Sequence, residues 1–273
     1  MMVAGLVLAS CTTKKEVSTN PFFSEWTTPF GVPPFDQIKN DHYMPALDSG
    51  IAIARTEIGA VANSTEEPTF VNTVAAYDKA GELLTKVMYV FGSQTSAFTN
   101  DTLQALEMEI APKVSAFSDE VLLNANLFQR IKTVYDNRAS ATLTPEEMFI
   151  LENLYKDFVR NGALLNPADQ ETLKKLNQEI SVLAVKFSQN VLAETNDFKL
   201  VIDNEADLKG LPENVIAGAA DMARQDSLEG KWIFTTQKPS MIPFLTYAEN
   251  RELRKTLFAA YNSKGNRNNQ YDN

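Results

Sequence analysis

From Tyr43 almost to the end of the chain, large apolar residues recur every three or four positions, and that period admits little besides helices. Tyr43, Leu47, Ile51, Ala54 and Ile58 fall four, four, three and four apart, which places them on one buried helix face. Phe70, Val74, Tyr77, Leu84, Met88 and Phe91 continue the pattern. Thr144-Pro145-Glu146-Glu147 is a helix start, with Thr as N-cap, Pro at the first helical position and Glu placed to close a capping box. The helix runs through Met148, Leu151, Leu154, Tyr155 and Phe158 and is expected to end at Gly162. Asn166-Pro167-Ala168-Asp169 opens the next in the same manner.

That next helix carries the longest seam. Leu173, Leu176, Ile180, Leu183, Phe187 and Val191 are spaced three, four, three, four and four. Such a seam suits either a coiled-coil oligomer face or internal packing. The connection Ala163 to Pro167 is short enough for a helical hairpin, so packing against the preceding helix is the expectation. After Asn196 the texture changes. Phe198-Lys199-Leu200-Val201-Ile202 and Lys231-Trp232-Ile233-Phe234-Thr235-Thr236 carry the β-branched and aromatic runs of short strands. Between them 213–224 reads as a helix, and 239–262 returns to helical spacing. No internal repeat is visible. The predicted fold is mainly α, long antiparallel helices with a small β element in the last third: a helical domain over 36–196, then 197–273 with short strands.

Composition narrows the chemistry. With 273 residues the chain is long enough to bury about 75% of its unfolded surface. Its 25 Lys plus Arg against 35 Asp plus Glu give a net charge of −10, which argues against nucleic acid as a partner. One His and one Cys exclude a His-Glu-x-x-His helix, a zinc finger, a haem-attachment motif and any intrachain disulfide. The Gly-rich dinucleotide and phosphate loops, the nucleophile elbow and the calcium loop are also missing from the sequence.

Residues 1–11 read as a lipoprotein signal peptide. An apolar run from Met1 ends at Leu8-Ala9-Ser10-Cys11, which fits the bacterial lipobox, and Cys11 is the expected lipidation site. A signal peptide or buried helix with an incidental Cys competes with this, yet the only Cys in the chain sits where the motif requires it. The basic residues usual before the apolar run are missing, and the run is too short to span a bilayer. Residues 12–35 follow as a polar tether and then an extended arm. The arm carries Phe22, Phe23, Trp26, Phe30 and Phe35, too many large aromatics to stay solvated. The expected location is the bacterial cell envelope, on the periplasmic or outer-membrane face, with the membrane reached through a lipid on Cys11.

Other constellations read as structure. Asp41 beside His42 has the make-up of an acid–imidazole general-base pair, but neighbours on a helix do not face one another. Glu107 with Glu109, and Asp203 with Glu205 and Asp207, lack the Gly-centred loop of a calcium site and read as solvated faces. Arg251, Arg254 and Lys255 form a basic cluster that Glu249 and Glu252 are expected to neutralise. Asn63-Ser64-Thr65 and Asn100-Asp101-Thr102 match the glycosylation acceptor, which carries little weight beside a bacterial lipobox.

Several strings are more specific. Pro34-Phe35-Asp36-Gln37-Ile38 followed by His42-Tyr43-Met44-Pro45-Ala46 resembles the entry segment of the thimet oligopeptidase and peptidyl-dipeptidase family of zinc metallopeptidases. Phe158-Val159-Arg160-Asn161-Gly162-Ala163, Phe187-Ser188-Gln189-Asn190-Val191-Leu192 and Asp207-Leu208-Lys209-Gly210-Leu211-Pro212 keep that family's order. Asn250-Arg251-Glu252-Leu253-Arg254 and Tyr271-Asp272-Asn273 extend the likeness, and the bacterial peptidyl-dipeptidase branch is the nearest fit. The resemblance covers Asn20 to Asn273 and implies the N-terminal portion of such an enzyme, half of a helical peptidase shell.

By that resemblance, the parent protein holds Zn²⁺ on two His and a Glu in its C-terminal half and hydrolyses short peptides. This chain is expected to stop before that region. It then has no catalytic, cofactor-binding or metal residue, cannot bind the zinc, is inactive alone, and supplies a channel wall to its partner, the C-terminal catalytic half. The alternative is a lipid-anchored helical envelope protein that binds a ligand without catalysis and uses the arm aromatics as contacts.

Overall fold

In the computed structural model, residues 20–273 are described, and the expected lipobox with Cys11 lies outside them. The chain divides into two compact units, and the division falls at Lys174/Lys175. That point lies inside a helix, earlier than the 196/197 boundary expected from the change of texture.

The first unit is helical throughout: α1 (Tyr43–Ala62), α2 (Ala76–Asp78), α3 (Glu82–Ala97), α4 (Asp101–Leu122), α5 (Ala125–Asp136) and α6 (Pro145–Arg160), with the start of α7 (Pro167–Asp197). The predicted stripe is the inner face of α1, and Tyr43, Leu47, Ile51, Ala54 and Ile58 are all buried. α1 packs chiefly on α3 and also touches α4 and α5. Gly50 permits the closest approach, because a Cβ there would lie 2.9 Å from the Leu84 Cα. Burial pushes the Tyr43 hydroxyl up to about 12.

The stretch from Phe70 to Phe91 departs from the expected single run. It begins as a π-helical turn over Phe70–Ala75, passes through α2, and restarts at Gly81, whose φ is 80°. The cause lies elsewhere in the chain. Arg130 on α5 is buried, and its Nη1 donates to the carbonyls of Ser64 and Glu66, each at 2.8 Å. Its Nη2 donates to Asn72 Oδ1 and Thr73 Oγ1, each at 3.2 Å. A desolvated guanidinium with four acceptors fixes the turn, so apolar period alone does not set its winding.

α6 begins and ends as the sequence predicts. Glu147 N–H donates to Thr144 Oγ1 at 3.2 Å and Thr144 N–H to Glu147 Oε2 at 2.8 Å, closing the capping box. At the other end Gly162 has φ of 94°, Ala163 N–H donates to the Phe158 carbonyl at 3.0 Å, and Gly162 N–H donates to that of Val159 at 3.2 Å. This is a Schellman stop. Inside, the Phe158 ring stacks on Phe128 at 6.1 Å and meets the edge of Tyr77 at 5.9 Å.

The arm is only partly as expected. Phe22 is buried against Tyr43 at 5.5 Å, Asn20 Nδ2 donates to the His42 carbonyl at 2.8 Å, and Lys86 Nζ sits 3.9 Å above the Trp26 ring. Short 3-10 turns at Pro21–Phe23 and Pro29–Gly31 replace a fully extended path. Phe30, held at a φ of 59°, is wholly exposed. Of the five arm aromatics only Phe22 is buried and Trp26 half-buried, while Phe23, Phe30 and Phe35 are exposed.

The second unit, Lys175–Asn273, holds the rest of α7, β1 (Leu200–Ile202), α8 (Glu213–Gln225), β2 (Trp232–Phe234), α9 (Lys238–Tyr247) and α10 (Arg251–Asn262). The strands pair antiparallel with Leu200 opposite Phe234 and Ile202 opposite Trp232. They are shorter than the runs predicted, though both lie within them. Phe234 and Phe244 centre the core at 4.5 Å, with Leu257 also buried. The expected helix over 239–262 is split, because Asn250 caps a new start by accepting from Glu252 and Leu253 N–H at 3.1 and 3.2 Å. Gly210 (φ 91°) lets the preceding turn meet this break: a Cβ there would lie 2.2 Å from the Tyr247 oxygen.

Phe158→Ala should destabilise the first unit by about 3–5 kcal/mol, since the ring is fully buried. Phe149→Ala, on the same helix but 69% exposed, should change stability by no more than about 0.5 kcal/mol. Urea unfolding followed by Trp26 fluorescence in a Trp232→Phe background reads this unit separately.

Candidate functional site

α7 is the element whose side chains have most left to do. Asn166 caps it, with Asp169 N–H donating to Asn166 Oδ1 at 3.0 Å and Asn166 Nδ2 donating back to Asp169 Oδ2 at 2.7 Å. The expected burial of its seam holds only at the ends, where Leu173 and Val191 are half-buried; the middle is exposed. Leu176, Ile180, Leu183 and Phe187 are 50%, 60%, 54% and 52% exposed. Within the first unit, α6 packs its own apolar face on α5 and the π-helical turn, with Leu151 and Phe158 buried there. At a rise of 1.5 Å per residue the four side chains form a strip about 16 Å long.

The far end of the strip is firmly fixed. Glu194 is 2% exposed and accepts from Gly265 N–H at 2.5 Å and from Asn269 Nδ2 at 2.7 Å. Arg267 Nε lies 3.1 Å from the same carboxylate, as an ion pair whose N–H is not aligned for a hydrogen bond. The guanidinium also lies 5.0 Å from the Phe198 ring centre and donates to the Ala260 carbonyl at 2.5 Å. Asp272 accepts from the backbone N–H groups of Arg267 and Asn268, both at 2.7 Å. The N–H of Arg267 foremost holds its carboxyl below the usual range. The segment from Gly265 to Asn273 is thus a hydrogen-bonded loop built on a buried carboxylate.

A bare apolar strip of Leu, Ile and Phe side chains can associate with another apolar surface. The other candidates make local contacts. His42 Nδ1 accepts from Lys39 N–H at 3.1 Å, and its Nε2 lies 3.9 Å from Asp41 Oδ1. The imidazole therefore finishes a local turn. Glu107 and Glu109 sit two apart on α4 and so do not share a face. Asp203 pairs with Lys231 at 2.8 Å, and Asp207 accepts from Asn250 Nδ2 at 2.8 Å. Asn63 donates to the Gly59 carbonyl and Asn100 caps α4. Among the described residues no three His, Cys, Asp or Glu side chains lie together as a metal-binding group. The described residues do not fit a zinc centre. No helix among them is long and apolar enough to cross a membrane.

Replacing Leu183 and Phe187 together with Ser should leave stability within about 1 kcal/mol of the parent, because neither side chain supports the core. The same change should sharply lower the binding of a hydrophobic fluorescent dye, since the strip is the apolar surface being removed.

No family model matches the chain. Among curated proteins it is 38% identical over 253 residues to the dipeptidyl carboxypeptidase of Escherichia coli (strain K12), covering 93% of this chain and 37% of that protein. It is 35% identical over 256 residues to the dipeptidyl carboxypeptidase of Salmonella typhimurium, covering 94% and 38%. With oligopeptidase A of Escherichia coli it shares 26% identity over 246 residues, 90% and 35% of the two lengths. The chain thus spans little more than a third of the length of these relatives. Homology along some nine-tenths of its own residues, highest with the dipeptidyl carboxypeptidases among these three, places the chain in the thimet oligopeptidase family.

Proposed function

We propose that this chain is the N-terminal part of a zinc metallopeptidase of the peptidyl-dipeptidase or oligopeptidase type, which hydrolyses short peptides. The observation that carries the reading is the match to dipeptidyl carboxypeptidase, 38% identity over 93% of the chain. The chain contributes a wall of the peptide channel. The metal and its general base belong to the C-terminal catalytic half, because one imidazole, engaged at Lys39 N–H, does not make a hydrolytic zinc site. That half is also the partner expected to cover Leu176, Ile180, Leu183 and Phe187, as an uncovered strip of this kind invites. The envelope-binding alternative draws on exposed Phe30, but Phe22, which it also needs as a ligand contact, is in the core.

Purified 1–273 should give no zinc-dependent turnover of a short internally quenched peptide. Turnover that a chelator abolishes would overturn the assignment of the chemistry to another part of the protein. A coding frame that continues past Asn273 into a His-Glu-x-x-His helix is the positive counterpart, and a stop codon there would refute the reading.

We further propose that the protein is held in the bacterial cell envelope by a lipid on Cys11. The support is the sequence Leu8-Ala9-Ser10-Cys11 and the uniqueness of that Cys. Growth with a radioactive fatty acid should label the wild type and leave Cys11→Ala unlabelled. Equal incorporation in both would end the proposal.

A further inference from the structure

Arg251, Arg254, Lys255 and Phe258 stand at positions i, i+3, i+4 and i+7 of α10 and therefore share one face. The opposite side of the helix carries the buried Leu257 and Ala260. With Leu245 of α9 the four line an open cleft of about 430 Å³.

The neutralisation expected from the interleaved acids does not occur. Glu249 pairs with Lys209 at 2.9 Å. Glu252 lies within ion-pair distance of none of the three cations, and Arg251 and Lys255 have no carboxylate partner among the described residues. Arg254 is steadied by donating from Nη1 to the carbonyls of Ala248 and Glu249, while its Nε and Nη2 make no hydrogen bond there. Three uncompensated cations in a chain of net charge −10 are an electrostatic exception, since such a chain has acids to spare for pairing. Beside them Phe258, 58% exposed, and half-buried Leu245 supply an apolar floor.

We propose that this cleft binds a carboxylate carried next to an apolar side chain, the chemistry of a short peptide's free C-terminus. Guanidinium groups match carboxylate oxygens with paired donors, and the floor takes the neighbouring side chain. A bare inorganic anion uses only the first of these features. The choice of a peptide as carrier rests on the peptidase reading; the unpaired cations and their apolar floor do not.

The test is a titration of ¹⁵N-labelled chain with N-acetyl-Phe-Leu as the free acid, with its C-terminal amide, and with inorganic phosphate, each followed by amide shifts. The free acid should move signals of α10 and of Leu245 saturably, and the amide should bind about tenfold more weakly. Arg251→Ala with Lys255→Ala, both exposed and outside the core, should weaken the acid by about tenfold and leave the far-UV circular dichroism unchanged. Phe258→Ala should weaken the acid and not phosphate. Equal binding of acid and amide, phosphate binding as tight as the acid, or an unaffected double variant would each overturn the proposal. No hydrolysis is involved, so a failure here is separate from a failure of the peptidase reading: the chain's cleft and the downstream reading frame are tested independently.

Discussion

The first unit depends on the burial of one side of α1. Tyr43, Leu47, Ile51, Ala54 and Ile58 form its inner face, and α3, α4 and α5 all pack on that helix. The closeness of α1 to α3 requires Gly50, because any side chain there would meet the Leu84 backbone. This constraint reaches the arm as well: Phe22 docks on Tyr43, and Asn20 bonds the His42 carbonyl at the start of the same helix. One apolar stripe thus orders both the helices above it and the chain that precedes it.

Two buried charged groups set what apolar burial leaves undetermined. Arg130 has only neutral oxygens as hydrogen-bond acceptors, and its four bonds tie the loop from Ser64 to Thr73 to α5. Glu194 does the corresponding work in the second unit, gathering Gly265, Arg267 and Asn269 around one carboxylate. Taking such groups out of water is costly unless their bonds are satisfied, so each site tolerates very few backbone arrangements.

Features encoded within a few residues were legible in the sequence. The Thr144–Glu147 capping box, the stop at Gly162 and the start at Asn166 depend on neighbours, and they stand where the spacing put them. Both short strands fall inside their predicted runs. What the period could not say is what covers a stripe. Tyr43 to Ile58 and Leu176 to Phe187 have the same spacing, yet the first is buried and the second bare. The partners of Arg130 and Glu194 lie far off in sequence and left no local signal. The basic face of α10 was visible as Arg251, Arg254 and Lys255, but its lack of compensation was not, because Lys209 takes Glu249 from another part of the chain.

The bare strip on α7 has a colloidal consequence. Molecules carrying a net charge of −10 repel one another in dilute buffer, and that repulsion keeps their greasy faces from meeting. Salt shortens its reach from about 10 Å at 0.1 M to about 3 Å at 1 M and leaves apolar attraction intact, or strengthens it when the salt is sulfate. The chain alone is therefore a protein whose solubility falls as ionic strength rises.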